Sequence, residues 1–128
     1  MNKTAKSILL SNSFEKLASV YSAEVLEKLE STAELDTTFR NKAMILTDKA
    51  SVADTEYIFS TWGMPVFDEV EIAACFPKLT AVFYAAGSVQ EFARPFLNAH
   101  IKVFSAWAAN AVPVAEYTAA QIVLGMKG

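Results

Sequence analysis

The sequence predicts a doubly wound α/β domain in which helices cover both faces of a parallel sheet. Short apolar segments alternate with amphipathic ones along the chain, and such alternation favours parallel strands joined by crossover helices. No repeat, linker or low-complexity stretch interrupts this pattern. With 128 residues, 53% of them hydrophobic, the chain has the size and apolar content of one folded domain. We therefore expect one domain over residues 1–128, with roughly five strands and five helices.

Elements in the first half are predicted from short apolar runs and one capping signal. The run SILLS at residues 7–11 is typical of a buried strand, and residues 33–39 of a half-exposed strand. Ser22 stands where a helix N-cap is expected. Three apolar residues of that helix are expected to face inward: Val25, Leu26 and Leu29. Residues 40–54 fit either a strand or a helix, and we favour a helix.

The second half continues the alternation of strands and helices. Strands are expected at residues 55–62, 79–87 and 101–106, and helices at residues 68–76, 94–100 and 112–127. Asp68 marks one helix start, with Pro77 just past its end, and Pro95 falls in a first helical turn. Open parallel sheets bind ligands outside the carboxyl ends of their strands. Three segments are therefore candidate binding loops: residues 61–65, 85–89 and 105–110.

Charge and composition exclude several classes of function. The net charge is −3 and the Lys and Arg residues are scattered, so the sequence indicates neither a nucleic-acid surface nor a membrane surface. The N-terminal apolar run is too short for a signal peptide, and no run approaches the roughly 18 apolar residues of a transmembrane helix. Cys75, the only cysteine, fits a reducing compartment. We expect a cytoplasmic protein.

The single cysteine and single histidine are interpreted as structural residues. Cys75 lies in the apolar run EIAACF and is expected in the core. His100 is expected at a helix end, where it tolerates left-handed backbone geometry. One His and one Cys make a transition-metal site implausible, so no metal is predicted. The glycines at positions 63, 87, 125 and 128 are too dispersed for a phosphate-binding fingerprint.

The candidate site residues lie in the loops that follow the later strands. Main-chain N–H groups of Ala86 and Gly87 can approach a ligand closely and hold a carboxylate, with the Ser88 hydroxyl beside them. The alternative is a tight turn that needs Gly87 for its backbone angles. Asn110 either caps the last helix or points into a cleft. Glu116 complements the positive end of that helix.

Aromatic and apolar residues near the C-terminus indicate a partner surface. Trp62 and Trp107 fall at strand ends on the same edge of the sheet. They either cover the core or form walls of a pocket. One stripe of the last helix can seat it on a sheet: Val112, Ala115, Ala119, Ile122, Val123 and Met126. A second apolar patch lies away from that stripe and consists of Tyr117, Ala120 and Leu124. Two apolar faces predict two partners, and a homo-oligomer formed through this helix would supply the second.

From Leu79 onward the sequence resembles the D-isomer-specific 2-hydroxyacid dehydrogenases. The substrate-binding domain of that family has a strand, a Gly-containing turn, a short helix, a strand, and a loop N-x-x-x-V-A-E that opens a long helix. Here these are LTAVFYAAGSV, RPFLNAHIKVFSA and ANAVPVAEYTAAQIVLGM, with Asn110, Val114, Ala115 and Glu116 at the motif positions. The Trp-Gly turn in STWGMPVFDEVEIAACFPKL is similar to one branch of the family.

The resemblance implies a flavodoxin-like domain that binds a small 2-oxo or 2-hydroxy acid. It also implies that a Rossmann-type domain follows and carries NAD or NADP, while this chain holds no cofactor. The family's catalytic Arg, Glu and His come later in the chain, so no catalytic residue is expected here, and His100 does not match the catalytic His. The resemblance assigns the substrate carboxylate to Ala86 and Gly87, with Ser88 helping and Asn110 bordering the cleft.

The alternative from another class is a stand-alone flavodoxin-like binding or signalling module. Receiver-like domains share this topology, but they need clustered acidic residues after the first strand. Here SNSFEK follows that strand, without such a cluster. The dehydrogenase interpretation therefore takes precedence.

Overall fold

The structure, a computed structural model, describes residues 5–109 and residue 119. In these residues five parallel strands form one sheet. The strands are β1 (Lys6–Leu10), β2 (Glu34–Arg40), β3 (Tyr57–Ser60), β4 (Ala81–Tyr84) and β5 (Lys102–Ser105). Their spatial order is β2-β1-β3-β4-β5, and every neighbouring pair is parallel. This is the flavodoxin-like order, so the predicted fold class is confirmed.

Short helices connect the strands and cover both faces of the sheet. They are α1 (Phe14–Val20), α2 (Ala23–Glu30), α3 (Lys42–Thr47), a 3-10 helix (Lys49–Val52), α4 (Glu69–Cys75) and α5 (Ala93–Asn98). Ser22 caps α2 as predicted, because its hydroxyl accepts a hydrogen bond from the Val25 N–H at 3.3 Å. Asp68 caps α4 and forms a reciprocal capping box with Glu71. None of the described helices is long and apolar enough to cross a membrane.

The structure corrects three details of the sequence prediction. Helix α1 was not predicted, because only Leu17 of its residues is buried and no apolar period marks it. Val25 is 37% exposed and does not face the core, whereas Leu26 and Leu29 do pack against it. Strand β4 ends at Tyr84 rather than at Gly87, so the following residues form a turn. The helix expected at 112–127, with its second apolar patch, lies outside the described residues apart from Ala119, which is helical and exposed.

The two faces of the sheet carry separate apolar clusters. One cluster joins sheet residues such as Ile58 and Val82 to residues of α3, α4 and α5. The other lies on the opposite face, where Leu9 and Phe59 pack against α1 and α2. Cys75 and Phe96 are fully buried in the first cluster, and the prediction that Cys75 packs in the core is confirmed. Burial raises the pKa of the Cys75 thiol, which keeps it protonated and unreactive.

A row of apolar residues crosses the second face from the sheet centre to strand β5. Cross-strand register aligns Leu9, Phe59, Phe83 and Phe104. The Phe59 and Phe83 rings stack at 5.2 Å between centroids, and so do the Phe83 and Phe104 rings. Exposure rises along this row from 4% at Leu9 to 50% at Phe104. A hollow of about 270 Å³ lies at its β5 end, lined mainly by aromatic and small residues.

Candidate functional site

The candidate site lies at the carboxyl edge of the sheet, where the loops after β1, β3 and β4 meet. The strand order reverses between β1 and β3, which is the usual place for a ligand crevice. In this chain the loops that follow β1 and β3 are joined by hydrogen bonds. The Ser11 hydroxyl donates to the Trp62 carbonyl at 3.0 Å, and the Asn12 N–H donates to the Gly63 carbonyl at 2.7 Å. These contacts join the loops that follow β1 and β3.

A tight turn after β3 places Trp62 beside the next gap along the edge. The Met64 N–H donates to the Thr61 carbonyl at 3.1 Å, and Gly63 has φ +87°, as the third position of a type II turn requires. A Cβ atom at Gly63 would lie 2.7 Å from the Ser11 Oγ atom. Trp62 occupies the second position of this turn, and its side chain is half exposed.

Hydrogen bonds of its main-chain groups hold the turn after β4 in place. The Ala85 N–H donates to the Ser60 carbonyl at 2.8 Å, and the Ala85 carbonyl accepts from the Thr61 hydroxyl at 3.1 Å. The Ala86 carbonyl accepts from the Ala106 N–H at 3.1 Å. The backbone between β4 and the following segment is therefore fixed to both neighbouring strand ends.

Three successive N–H groups of this turn have no hydrogen-bond acceptor among residues 5–109 and 119. They belong to Ala86, Gly87 and Ser88. Positive φ angles occur in the described residues only at Gly63 and His100, so Gly87 is not needed there for left-handed geometry. The alternative that the turn needs Gly87 for left-handed backbone angles is therefore not supported.

A cavity of about 290 Å³ lies beside this turn. Its lining comes from α1, from the turns after β3 and β4 and from the segment before α5, and consists of Lys16, Trp62, Gly63, Tyr84, Gly87, Ser88 and Glu91. Of the predicted site residues, Gly87 and Ser88 line this cavity and Ala86 is buried next to them. Asn110 and Glu116 lie outside the described residues.

The two tryptophans and the histidine that the sequence analysis singled out differ in their position relative to the cavity. Trp62 is a wall of the cavity rather than a core lid. Trp107 is 69% exposed and does not line the cavity. His100 has φ 64° just after α5, which confirms the predicted left-handed helix end.

Three lining residues were not predicted from the sequence. Lys16 belongs to α1, the helix that no apolar period marked, and Glu91 belongs to the stretch QEFA, which carries no recognisable motif. Tyr84 ends β4 and was counted only as a strand residue. Burial, and then the charge of Glu91, raise the pKa of the Tyr84 hydroxyl, so it stays a neutral donor.

The cavity lining combines hydrogen-bond donors with one carboxylate, that of Glu91. No group of three or more His, Cys, Asp or Glu side chains that could hold a metal ion occurs among the described residues. Adjacent main-chain N–H groups with a hydroxyl and an ammonium nearby suit a small carboxylate. No Gly-rich turn leads from a strand into a helix in residues 5–109.

Comparison with known proteins gives a likeness among solved structures. No protein-family model matches the sequence. No curated protein is significantly similar to it either. Among solved structures, a glyoxylate reductase from Paecilomyes thermophila is similar with a TM-score of 0.52 and 18% sequence identity over 79% of this chain. The likeness covers 32% of the length of that reductase. At this identity it supports the fold of the present chain.

Proposed function

We propose that this chain is the substrate-binding domain of an NAD(P)-dependent oxidoreductase that acts on the CH–OH group of a D-2-hydroxy acid or reduces the matching 2-oxo acid. The observation that carries the proposal is the turn after β4, where the N–H groups of Ala86, Gly87 and Ser88 have no acceptor among residues 5–109 and 119, and where Gly87 and Ser88 line a cavity. The similar glyoxylate reductase supports it, because glyoxylate is the smallest 2-oxo acid.

In this proposal the turn after β4 binds the substrate carboxylate. The carboxylate accepts hydrogen bonds from the N–H groups of Ala86 and Gly87, while the Ser88 hydroxyl adds a donor and Asn110 borders the cleft. The Ala85 and Ala86 carbonyls hold the turn in place, so its N–H groups are ordered before the acid binds. Fixing the carboxylate also fixes the adjacent carbonyl carbon, which lowers the entropic part of the reaction barrier.

The remaining parts of the reaction are assigned to another part of the protein. A nicotinamide supplies hydride in such oxidoreductases, and we assign its site to a Rossmann-type domain that follows these residues. No residue of this chain is assigned the role of catalytic acid or base. The coding sequence after residue 128 tests this assignment, because a strand followed by G-x-G-x-x-G is expected there.

Tryptophan fluorescence tests acid binding directly on the chain. A Trp107→Phe variant leaves Trp62, the cavity wall, as the single reporter. Glyoxylate or pyruvate is expected to change the fluorescence of this variant in a saturable way, and acetamide, which lacks the carboxylate, is the control ligand. The Trp62→Phe variant is expected to give no such signal. If no 2-oxo acid changes the Trp62 signal and none binds by calorimetry, the proposed function is wrong.

A further inference from the structure

The buried hydroxyl of Thr61 carries an inference about how a donor of the turn after β4 is oriented, and this inference rests on the proposed function. We propose that Thr61 is a positioning residue, whose hydroxyl holds the peptide group between Ala85 and Ala86 in the orientation that presents the Ala86 N–H to the substrate carboxylate. Thr61 does not line the cavity, so its effect on binding passes through the main chain.

Thr61 is bonded to both turns that contribute to the cavity lining. It follows β3 directly and is fully buried. Its carbonyl accepts from the Met64 N–H at 3.1 Å in the turn that carries Trp62. Its hydroxyl donates to the Ala85 carbonyl at 3.1 Å in the turn after β4. One buried residue therefore joins the turn of the cavity wall to the turn of the carboxylate donors.

The Thr61 hydroxyl fixes the direction of a donor, because the Ala85 carbonyl and the Ala86 N–H belong to one peptide group. Every peptide bond in the described residues is trans, and a planar trans peptide group directs its C=O and its N–H to opposite sides. No other donor to the Ala85 carbonyl occurs in residues 5–109 and 119. Without the hydroxyl this peptide group can rotate about the line between its two Cα atoms, and the Ala86 N–H then leaves its binding orientation.

The next peptide group is held by the main chain alone. The Ala86 carbonyl accepts from the Ala106 N–H at 3.1 Å, and the Gly87 N–H belongs to the same peptide group as that carbonyl. Loss of the Thr61 hydroxyl should therefore weaken the bond from Ala86 and leave the bond from Gly87. Affinity falls with the fraction of molecules that hold the binding orientation, so we expect binding to become about tenfold weaker.

Thr61→Val tests this role, because it removes the hydroxyl and keeps the branched shape of the side chain. Dissociation constants for glyoxylate are measured by two-dimensional NMR on the ¹⁵N-labelled chain, since Trp62 adjoins Thr61 and its fluorescence would change directly. The variant is expected to bind glyoxylate about tenfold more weakly than the natural chain, with the ligand-induced shift lost at Ala86 and kept at Gly87. Thr61→Ser keeps the hydroxyl and is expected to retain the natural affinity.

Thr80 and Ser7 supply matched controls near the opposite edge of the sheet. The Thr80 hydroxyl donates to the Glu56 carbonyl at 3.0 Å, over the same separation of 24 residues as the bond of Thr61. Ser7 is buried, and its hydroxyl donates to a main-chain carbonyl of β2 at 3.3 Å. Thr80→Val and Ser7→Ala are expected to lower the urea midpoint, as Thr61→Val does, but to keep the natural affinity for glyoxylate.

Three results would overturn the positioning role while acid binding stands. In the first, folded Thr61→Val binds glyoxylate as tightly as the natural chain. In the second, the control variants lose affinity to the same degree, or the shifts at Ala86 and Gly87 disappear together, so that the effect is a general loss of stability. In the third, neither Thr61→Val nor Thr61→Ala folds, which makes Thr61 a folding residue. If the natural chain binds no 2-oxo acid, the proposed function and the positioning role both fail.

Discussion

The hydroxyl of Ser11 donates a hydrogen bond to the main-chain oxygen of Trp62, 3.0 Å away, and this bond joins the loops after β1 and β3. Ser11 is fully buried, and its hydroxyl also accepts from the Ser13 N–H at 3.0 Å. The same contact leaves no room for a side chain at Gly63. The place of Trp62 on the cavity wall therefore depends on a buried serine and a glycine that come from two different loops.

Replacement of Gly63 tests this contact between the loops. Gly63→Ala places a Cβ atom 2.7 Å from the Ser11 Oγ atom at a φ of +87°, so we expect the free energy of unfolding to fall. The loss should be about 1–3 kcal/mol, as for other non-glycine residues forced into this region. Urea unfolding followed by circular dichroism measures it. Gly87→Ala is the matched control and should show no comparable loss, because Gly87 has no positive φ. Equal stability of the Gly63→Ala variant and the natural chain would contradict the described turn.

Alkaline pH is expected to destabilise the protein through Tyr21. The Tyr21 hydroxyl donates to the Ser60 carbonyl at 2.7 Å, and burial raises its pKa well above the ordinary value of 10.0. The folded state keeps the proton while the unfolded chain releases it near pH 10.0, so the contribution of Tyr21 to stability is constant below that pH and falls above it. Urea midpoints measured from neutral pH to above pH 10.0 follow this loss. Tyr21→Phe should flatten the profile, at a cost of about 1 kcal/mol at neutral pH. Parallel profiles for both proteins would rule out Tyr21 as the cause.

Self-association is expected through the apolar surface near β5. Phe104 is half exposed at the end of the stacked row, and the sequence places Tyr117, Ala120 and Leu124 on one patch of the last helix, outside the described residues. Large apolar patches usually mark an interface, and two-fold dimers are the commonest closed arrangement. Light scattering or sedimentation should show a dimer that Phe104→Ser or Leu124→Ser weakens. Val70→Ser, at an exposed apolar residue on α4, is the control. A strictly monomeric chain at high concentration would contradict this expectation.

Hydride transfer is expected to need more than these residues. The chain has neither a dinucleotide fingerprint nor the catalytic residues that its resemblance places later. Incubation with NADH or NADPH and glyoxylate should therefore give no loss of cofactor absorbance. The similar glyoxylate reductase serves as the positive control for the assay. Turnover by the 128-residue chain would show that it carries its own cofactor site.

The sequence predicted the features that depend on local chemistry. Aromatic and β-branched residues marked β3 and β4, and side-chain caps marked the starts of α2 and α4 at Ser22 and Asp68. His100 was placed correctly because its neighbours end a helix. The alternation of elements was enough to predict which edge of the sheet carries the candidate loops.

Features that depend on distant contacts could not be predicted in this way. Helix α1 contributes one buried residue, Leu17, so its pattern was too weak, and Lys16 was missed together with the helix. The contact of Ser11 with Trp62 joins residues 51 positions apart, and no local signal indicates it. Whether Gly87 is needed for left-handed turn geometry depends on its φ angle, which the sequence does not give.

The backbone amide resonances of Ala86, Gly87 and Ser88 test the central claim most directly. Titration of the ¹⁵N-labelled chain with hydroxypyruvate is followed by two-dimensional NMR, with methyl acetate, which carries no charge, as the control ligand. A carboxylate bound by these N–H groups should move their proton resonances downfield, more than those of any other described residue, and the shifts should saturate. Shifts centred elsewhere, or no shift at these residues at a concentration that saturates Trp62 fluorescence, would contradict the assignment of the turn after β4 as the carboxylate site.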